Sequence, residues 1–250
     1  QQWKISKTSS LIASIVYIFS GYFISAVDIL NVLVANTWIP FIFWAYVLVL
    51  QSFKFRYIIL TAVGIGLQFL GGEPTTFCAT LFSLALFTSG KVVVGWRESR
   101  TQKTEYRRQK IKDRGQRTEE KWWSTYFKIP LVFVIVILLG LGLVAFQLLP
   151  FLEMASHSTR YKGSLSSGMS FAEATRWSLA PYELLDLFRP SLSYIIMRIF
   201  GEQGLIDSIY LGLIPLCLIF IGICFSRLAL FWMLIFICFI LLSLGHYFPL

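Results

Sequence analysis

Residues 129–150 read IPLVFVIVILLGLGLVAFQLLP and contain no charged side chain. They follow directly on residues 97–128, which hold 11 lysines and arginines against 5 acidic residues. A helix of about 20 apolar residues is long enough to cross the hydrocarbon core of a bilayer. Because lysine and arginine collect in the cytoplasmic loops of membrane proteins, this junction predicts a basic cytoplasmic loop that leads into a membrane-spanning helix.

Six further stretches have the same apolar character, and we predict that each forms a span. They are residues 9–27, 33–51, 57–72, 75–96, 209–225 and 228–245. The chain is therefore predicted to be an all-α protein, a polytopic transmembrane helix bundle of about seven spans. Its predicted organisation is four helices in 1–96, the basic cytoplasmic loop 97–128, the fifth helix in 129–150, an extracytoplasmic loop with amphipathic helices in 151–208, and a helical hairpin in 209–250.

The overall composition excludes a soluble globular domain. Apolar residues make up 56% of the chain and charged residues 14%, whereas soluble proteins carry roughly 25% charged residues. Half of the 22 basic residues lie in residues 97–128. The net charge of +9 therefore indicates orientation in a lipid bilayer, and no nucleic-acid partner is predicted.

Cysteine and histidine do not form a metal-binding pattern in this sequence. The four cysteines lie inside apolar stretches without a CxxC pair, and the two histidines, His157 and His246, are far apart. Structural and catalytic zinc sites need three or four such ligands at defined spacings. No metal ligands are predicted.

The predicted outer loop contains local helix signals. Ser170-Phe171-Ala172-Glu173 has the spacing of a capping box, which predicts a helix from there to about residue 179. Residues 181–188 form a second amphipathic turn, of the kind that lies at a membrane surface. The glycine- and serine-rich residues 163–168 predict a flexible connection.

Ionisable residues near the outer membrane face are candidates for function, because charge next to lipid is costly. The outer set is Asp28, Glu73, Glu153, His157, Arg160, Arg176, Glu183, Asp186 and His246. Glu153, His157 and Arg160 are spaced at four and three, so they would share one face of a helix. This trio is either an acid or base beside a phosphate-binding arginine or a salt-bridged helix end at the interface.

The order of several short motifs resembles bacterial YfhO-type membrane proteins, which belong to the GT-C superfamily of polyprenol-dependent glycosyltransferases. The motifs are YIFSGY at 17–22, TWIP at 37–40, GGEP at 71–74, QLLP at 147–150 with Glu153 and Arg160, the segment 181–190, and YLGLIPL at 210–216. The family has a histidine at the position of Glu73, which is a departure from its pattern.

The resemblance implies a GT-C-like fold in the bacterial cytoplasmic (inner) membrane. It implies transfer of a sugar from a polyprenyl-phosphate donor to an envelope glycan or polymer on the outer face. By this reading Arg160, and next Arg176, contact the phosphate, while Glu73, Glu153 and His157 bind sugar or acceptor. Glu153 and Asp28 are the candidates for a catalytic carboxylate. No particular cofactor is implied, and a divalent metal ion is left open.

Two further expectations belong to this reading. The chain is expected to be an internal piece of a longer protein, so that the principal catalytic carboxylate precedes it. The rival functions are a transporter or flippase of a lipid-linked substrate and a non-catalytic membrane assembly subunit. Transporters place polar groups at the membrane midplane, and no predicted span carries a charge deep inside it.

Overall fold

The computed structural model describes residues 7–109, 119–158, 162–163, 166–175, 178–189, 209–225 and 227–247. Almost all of the regular structure in these residues is helical. The α-helices are α1 (Lys7–Ile18), α2 (Gly21–Ser25), α3 (Leu30–Ser52), α4 (Phe55–Leu70), α5 (Pro74–Gln109), α6 (Glu119–Leu143), α7 (Ala145–Ser156), α8 (Phe171–Ala174), α9 (Leu213–Phe225) and α10 (Arg227–Ser243). Shorter elements are the 3-10 turns Ala26–Asp28, Pro181–Leu187 and Gly245–Tyr247, and the strands β1 (Lys162–Gly163) and β2 (Ser166–Ser167).

The helix lengths indicate a membrane protein with two to four spans among the described residues. Leu30–Ser52 and Pro74–Val93 are each long and apolar enough to cross a bilayer. Two bent pairs, Lys7–Ile18 with Gly21–Asp28 and Lys128–Leu143 with Ala145–Ser156, would each add one span if counted as a unit. The all-helical membrane character predicted from the sequence is confirmed at this level.

The predicted number of seven spans is not supported. Three of the predicted stretches form apolar helices of only 10–17 residues, namely Phe55–Leu70, Leu213–Cys224 and Ala229–Ser243. At a rise of about 1.5 Å per residue, such helices are shorter than the roughly 30 Å hydrocarbon core. Among the described residues, helix length therefore supports fewer crossings than apolar composition predicted.

The predicted span over residues 129–150 is not one continuous helix. The chain turns by 80° between α6 and α7, at Val144, which is only 1% exposed. A Cβ built on Gly66 of α4 would lie 3.3 Å from Val144 Cγ1, so the missing side chain at Gly66 makes room for Val144. Glycines at 140 and 142 lower the helical preference of this region, and the contact with α4 fixes the bend.

The predicted basic loop 97–128 is partly helical. Helix α5 continues through Gln109, well beyond the apolar segment that ends at Val93, and α6 already begins at Glu119. Residues 110–118 lie outside the described residues. The first part of the basic stretch is thus a continuation of helix α5, and its last part is the beginning of helix α6.

In the predicted outer loop, the capping box at Ser170 and Glu173 is confirmed. The helix that follows it is shorter than predicted. The Ser170 hydroxyl accepts a hydrogen bond from the Glu173 N–H, and the Glu173 carboxylate accepts one from the Ser170 N–H. The helix ends at Ala174 rather than near residue 179, because the Leu179 N–H donates to the Ser243 carbonyl at 2.8 Å. The Gly/Ser stretch contributes to a minimal hairpin in which Lys162 faces Ser167.

The chain divides into two compact units. The first combines Gln1–Leu33 with Ala155–Leu250, and the second is Val34–Met154. In the second unit α4 is the central helix, with buried residues on several faces. They are Ile58, Thr61, Ala62, Gly64, Ile65, Gly66, Gln68 and Phe69.

Small residues allow the neighbours of α4 to pack closely against it. A Cβ built on Gly140 of α6 would lie 2.9 Å from Ile65 Cγ2 and 3.4 Å from the Ala62 carbonyl oxygen. Membrane helices associate through such close contacts, because lipid is as apolar as the side chains that it would replace. The glycine at position 140 therefore sets the separation of α4 and α6.

One polar contact joins α3 and α5 at the opposite end of this core from the α4–α5 turn. The Tyr46 hydroxyl lies 2.6 Å from Thr88 Oγ1, which itself donates to the Leu84 carbonyl. Because the Thr88 proton is used inside its own helix, Tyr46 is the donor to Thr88. The Tyr46 ring also packs edge-on against Phe87 and Phe133, so α3, α5 and α6 meet at this residue.

We predict that Gly140→Ala destabilises the protein by about 1–3 kcal/mol, because the new methyl group overpacks the α4–α6 contact. Gly142→Ala is the matched control on the same helix, since a Cβ built there meets nothing within 4 Å. Both variants gain the same helical preference of alanine over glycine. Unfolding in lipid nanodiscs measures the difference, and equal stability of the two variants would contradict the packing account.

Candidate functional site

The turn between α4 and α5 places a carboxylate at a helix N-terminus. Gly72 has φ +79°, a left-handed conformation that glycine adopts without strain. Pro74 then begins α5, where its fixed φ suits the first helical position. Glu73 is half-buried and directly precedes the helix, where the helix dipole favours its negative charge.

The turn that carries Glu73, between α4 and α5, is called the Glu73 corner. A buried side-chain amide lies about one helical turn before it, near the end of α4. Gln68 is fully buried, and its Nε2 donates to the Ala35 carbonyl at 3.1 Å and to Thr80 Oγ1 at 2.8 Å. Thr80 in turn donates to the Thr76 carbonyl at 2.9 Å. The amide therefore links α3, α4 and α5 inside the helix core, where burial strengthens each hydrogen bond.

Gly71 permits the close approach that this network requires. A Cβ at this position would lie 3.2 Å from Val34 Cγ1, 3.5 Å from the Ala35 N and 3.1 Å from the Gln68 carbonyl oxygen. The first turns of α3 can thus reach the last turn of α4. The sequence of the GGEP motif predicts a tight turn. The contact with α3 is a second reason for a glycine at position 71.

Three aromatic rings bring the middle of α7 to the same corner. The ring centroid of Phe69 is 5.1 Å from that of Phe77 on α5 and 6.1 Å from that of Phe151 on α7, both edge-on. Glu153 follows Phe151 by two residues and is exposed. The segments that carry Glu73 and Glu153, which are 80 positions apart in the sequence, therefore meet around Phe69.

The proposed helical face of Glu153, His157 and Arg160 is only partly described. Helix α7 ends at Ser156, so Glu153 lies in its last turn and the exposed His157 follows its end. Arg160 lies outside the described residues, as does Arg176. Asp28 is exposed at the end of the 3-10 turn Ala26–Asp28.

In the first unit, residues 178 and 179 bind the backbone at the end of α10. The Ser178 hydroxyl accepts from the His246 N–H at 3.2 Å, and Leu179 donates to Ser243 as described above. In the following 3-10 turn the Glu183 carboxylate accepts from the Ala180 N–H at 2.8 Å. Asp186 in this turn, one of the ionisable candidates, is only 1% exposed.

Two motifs on which the family resemblance depends are also in contact within the first unit. The Gly21 N–H, in the YIFSGY motif, donates to the Tyr210 carbonyl at 2.6 Å, which opens the YLGLIPL motif. Ser20 caps α2 by accepting from the Phe23 N–H. The pairing shows that these two segments pack together, although they are separated by most of the chain.

The Glu173 carboxylate is stabilised by the residue that caps its own helix. Hydrogen bonds from the Ser170 N–H and then from the Ser170 hydroxyl hold the pKa of the Glu173 carboxyl below its ordinary value. The residue is fully exposed, so this carboxylate serves its helix cap. Among the described residues, no group of three or more histidine, cysteine or acidic side chains could hold a metal ion.

Comparison of the chain with protein-family models, with curated proteins and with solved structures finds no match. The family suggested by the motif order therefore stays a prediction. Sequence reasoning found Glu73 and Glu153 but missed Gln68 and Thr80. Both are neutral polar residues inside an apolar stretch, and this position could have identified them. Polar groups in a membrane interior are kept hydrogen-bonded, so they mark contacts between helices.

We predict that Thr80→Val lowers stability by about 1 kcal/mol, because Gln68 Nε2 loses one of its two acceptors. Thr75→Val, on the same helix, is the control, since Thr75 is exposed and exposed substitutions change stability by less than roughly 0.5 kcal/mol. Unfolding in nanodiscs provides the comparison. A Thr80→Val variant as stable as the control would show that this hydrogen bond contributes nothing.

Proposed function

We propose that this chain is part of a GT-C-like membrane glycosyltransferase that moves a sugar from polyprenyl phosphate to a cell-envelope acceptor. The observation that supports it most is the corner at Glu73. There a half-buried carboxylate lies above a buried hydrogen-bonding network and beside the segment that carries Glu153. Carboxylates next to neutral hydrogen-bonding side chains suit the recognition of sugar hydroxyls.

The topology proposed for this function depends on one full-length helix. The Glu73 corner precedes α5, and the basic residues 97–128 follow its apolar segment Pro74–Val93. If α5 crosses the bilayer with the basic side in the cytoplasm, then the corner faces outward. Helix α6 returns to the outer face, where α7 contacts the corner through Phe151 and Phe69, and the loop 151–208 follows there.

In the proposed reaction, the outer residues have different roles. A carboxylate, for which Glu153 and Asp28 are the candidates, accepts the proton of an acceptor hydroxyl as its oxygen attacks the anomeric carbon. The bond from that carbon to the phosphate oxygen breaks, and polyprenyl phosphate leaves. Arg160, with Arg176, stabilises the charge on the departing phosphate, while Glu73 and His157 hold hydroxyl groups.

A transporter or flippase of a lipid-linked substrate is the second candidate. The observation in its favour is the 80° break between α6 and α7, since broken helices frame the substrate sites of many transporters. A transporter also uses polar groups inside the bundle, and the Gln68 network is such a group. The two functions differ in whether the donor's glycosidic bond is broken. In a non-catalytic assembly subunit, the outer charges would tolerate substitution.

The test is transfer of a labelled sugar from a polyprenyl-phosphate donor by the protein in membrane vesicles. Arg160→Ala is expected to abolish transfer, and Glu153→Gln to slow it about 100-fold or more if this carboxylate is the base. Glu73→Gln is expected to weaken acceptor or sugar binding about tenfold. Arg189→Ala, an exposed arginine in the same loop, is the control and should leave transfer unchanged.

The possible results separate the candidates. Normal transfer by the Arg160→Ala variant would contradict the phosphate assignment. Movement of the donor across the membrane without bond cleavage would replace the glycosyltransferase with the transporter. Membrane insertion of each variant is checked by its resistance to extraction at high pH, so that loss of folding is not mistaken for loss of chemistry.

A further inference from the structure

The orientation of the Gln68 amide is fixed by its two neighbours. The Ala35 carbonyl oxygen can only accept a hydrogen bond, and Thr80 donates its own proton to the Thr76 carbonyl. Both neighbours therefore require the Nε2 donor of Gln68. Rotating the amide by 180° would direct its oxygen at two acceptors, which excludes the alternative assignment.

Gln68 Oε1 is consequently a buried acceptor that finds no hydrogen-bond donor among the described residues. Burying an acceptor without a donor costs about 1–3 kcal/mol. Leucine or methionine at this position would fill a similar volume without that cost. An unsatisfied polar group of this kind in a well-packed core calls for a functional explanation.

The residues above Gln68 form a polar stripe that leads to the outer corner. Glu73, directly before α5, and Thr76 and Thr80 on α5 are spaced at three and four, which places them on one side of the helix. The Thr80–Gln68 hydrogen bond shows that this side points toward α4. Their burial increases inward, from half-buried Glu73 and Thr76 to Thr80 at 2% exposure. Nothing lies within 4 Å of a Cβ built on Gly72, so the corner is open on that side.

This arrangement favours a neutral ligand that donates hydrogen bonds. Gln68 Oε1 and the Glu73 carboxylate are both acceptors, and a hydroxyl group can donate to either one. An ammonium group would also donate, but its desolvation next to the uncharged Gln68 and Thr80 would be costly. Hydroxyl groups therefore fit the chemistry of the stripe better than cations do.

We propose that Gln68 Oε1, together with Glu73, binds hydroxyl groups of a sugar that enters at the α4–α5 corner, with Gln68 at the inner end of the site. The identity of the ligand as a sugar rests on the proposed function, whereas the need for a hydrogen-bond donor rests on the geometry of Gln68 alone. Gln68 is a specificity residue in this site, because it distinguishes a hydroxyl group from an ether or a hydrogen at the same place.

The probe is n-octyl-β-D-glucoside, used below its micelle concentration with the full chain in lipid nanodiscs. Its tetra-O-methyl ether keeps the same acceptor oxygens and has no hydroxyl donors, although it is bulkier by four methyl groups. The glucoside is expected to raise the thermal unfolding midpoint of the unsubstituted protein, and the ether is expected to leave it unchanged. This comparison needs no substitution and so does not depend on the folding of a variant.

Gln68→Met is expected to weaken glucoside binding about tenfold, as measured by the concentration for half-maximal stabilisation. Thr88→Val is the matched control, because it also removes a buried polar contact from the same unit, at Tyr46, while leaving the Gln68 corner intact. The control should bind the glucoside as tightly as the unsubstituted protein does. Normal binding by the Gln68→Met variant would overturn the proposal.

The remaining outcomes also decide the proposal. Equal stabilisation by glucoside and ether, or stabilisation by neither, would show that Gln68 does not select a hydroxyl donor. Sugar transfer in vesicles without Gln68-dependent glucoside binding would refute this site and leave the proposed function standing. Gln68-dependent binding in a protein that transfers no sugar would refute the function and leave the site.

Discussion

Close packing around α4 is the constraint on which the rest of the second unit depends. Lipid offers no hydrophobic gain for bringing helices together, so contact at small residues and internal hydrogen bonds must hold them. Gly140 sets the distance to α6, Gly66 accommodates Val144 at the bend, and Gly71 admits the first turns of α3. The Gln68 network and the position of α7 both follow from these three contacts.

The helical membrane character could be predicted from the sequence, because uncharged apolar runs such as residues 33–51 are about as long as the bilayer core is thick. The capping box at Ser170 and Glu173 was also predictable, since both partners lie within one turn. The bend at Val144 and the early end of α8 were not. Each depends on a contact with a distant segment, at Gly66 and at Ser243, that hydropathy and local spacing do not encode.

The residues of the candidate site could likewise be predicted only in part from the sequence. Glu73 and Glu153 were predictable because charges at the edge of apolar stretches are conspicuous, and the structure adds that their segments meet at Phe69. Gln68 was missed, since one amide barely changes the hydropathy of its helix and its partner Ala35 lies 33 positions away. The roles of Arg160 and Arg176 stay predictions from the motif order, because both lie outside the described residues.

We propose that the Glu73 corner faces outward, while the basic residues that follow the apolar segment Pro74–Val93 of α5 face the cytoplasm. Cysteine labelling with a membrane-impermeant maleimide tests it most directly, after Cys78, Cys217, Cys224 and Cys238 are replaced by alanine. The Thr75→Cys variant should react in intact cells, and the Lys103→Cys variant only after the membrane is opened. Labelling of Lys103→Cys from outside, with Thr75→Cys protected until the membrane is opened, would contradict the account.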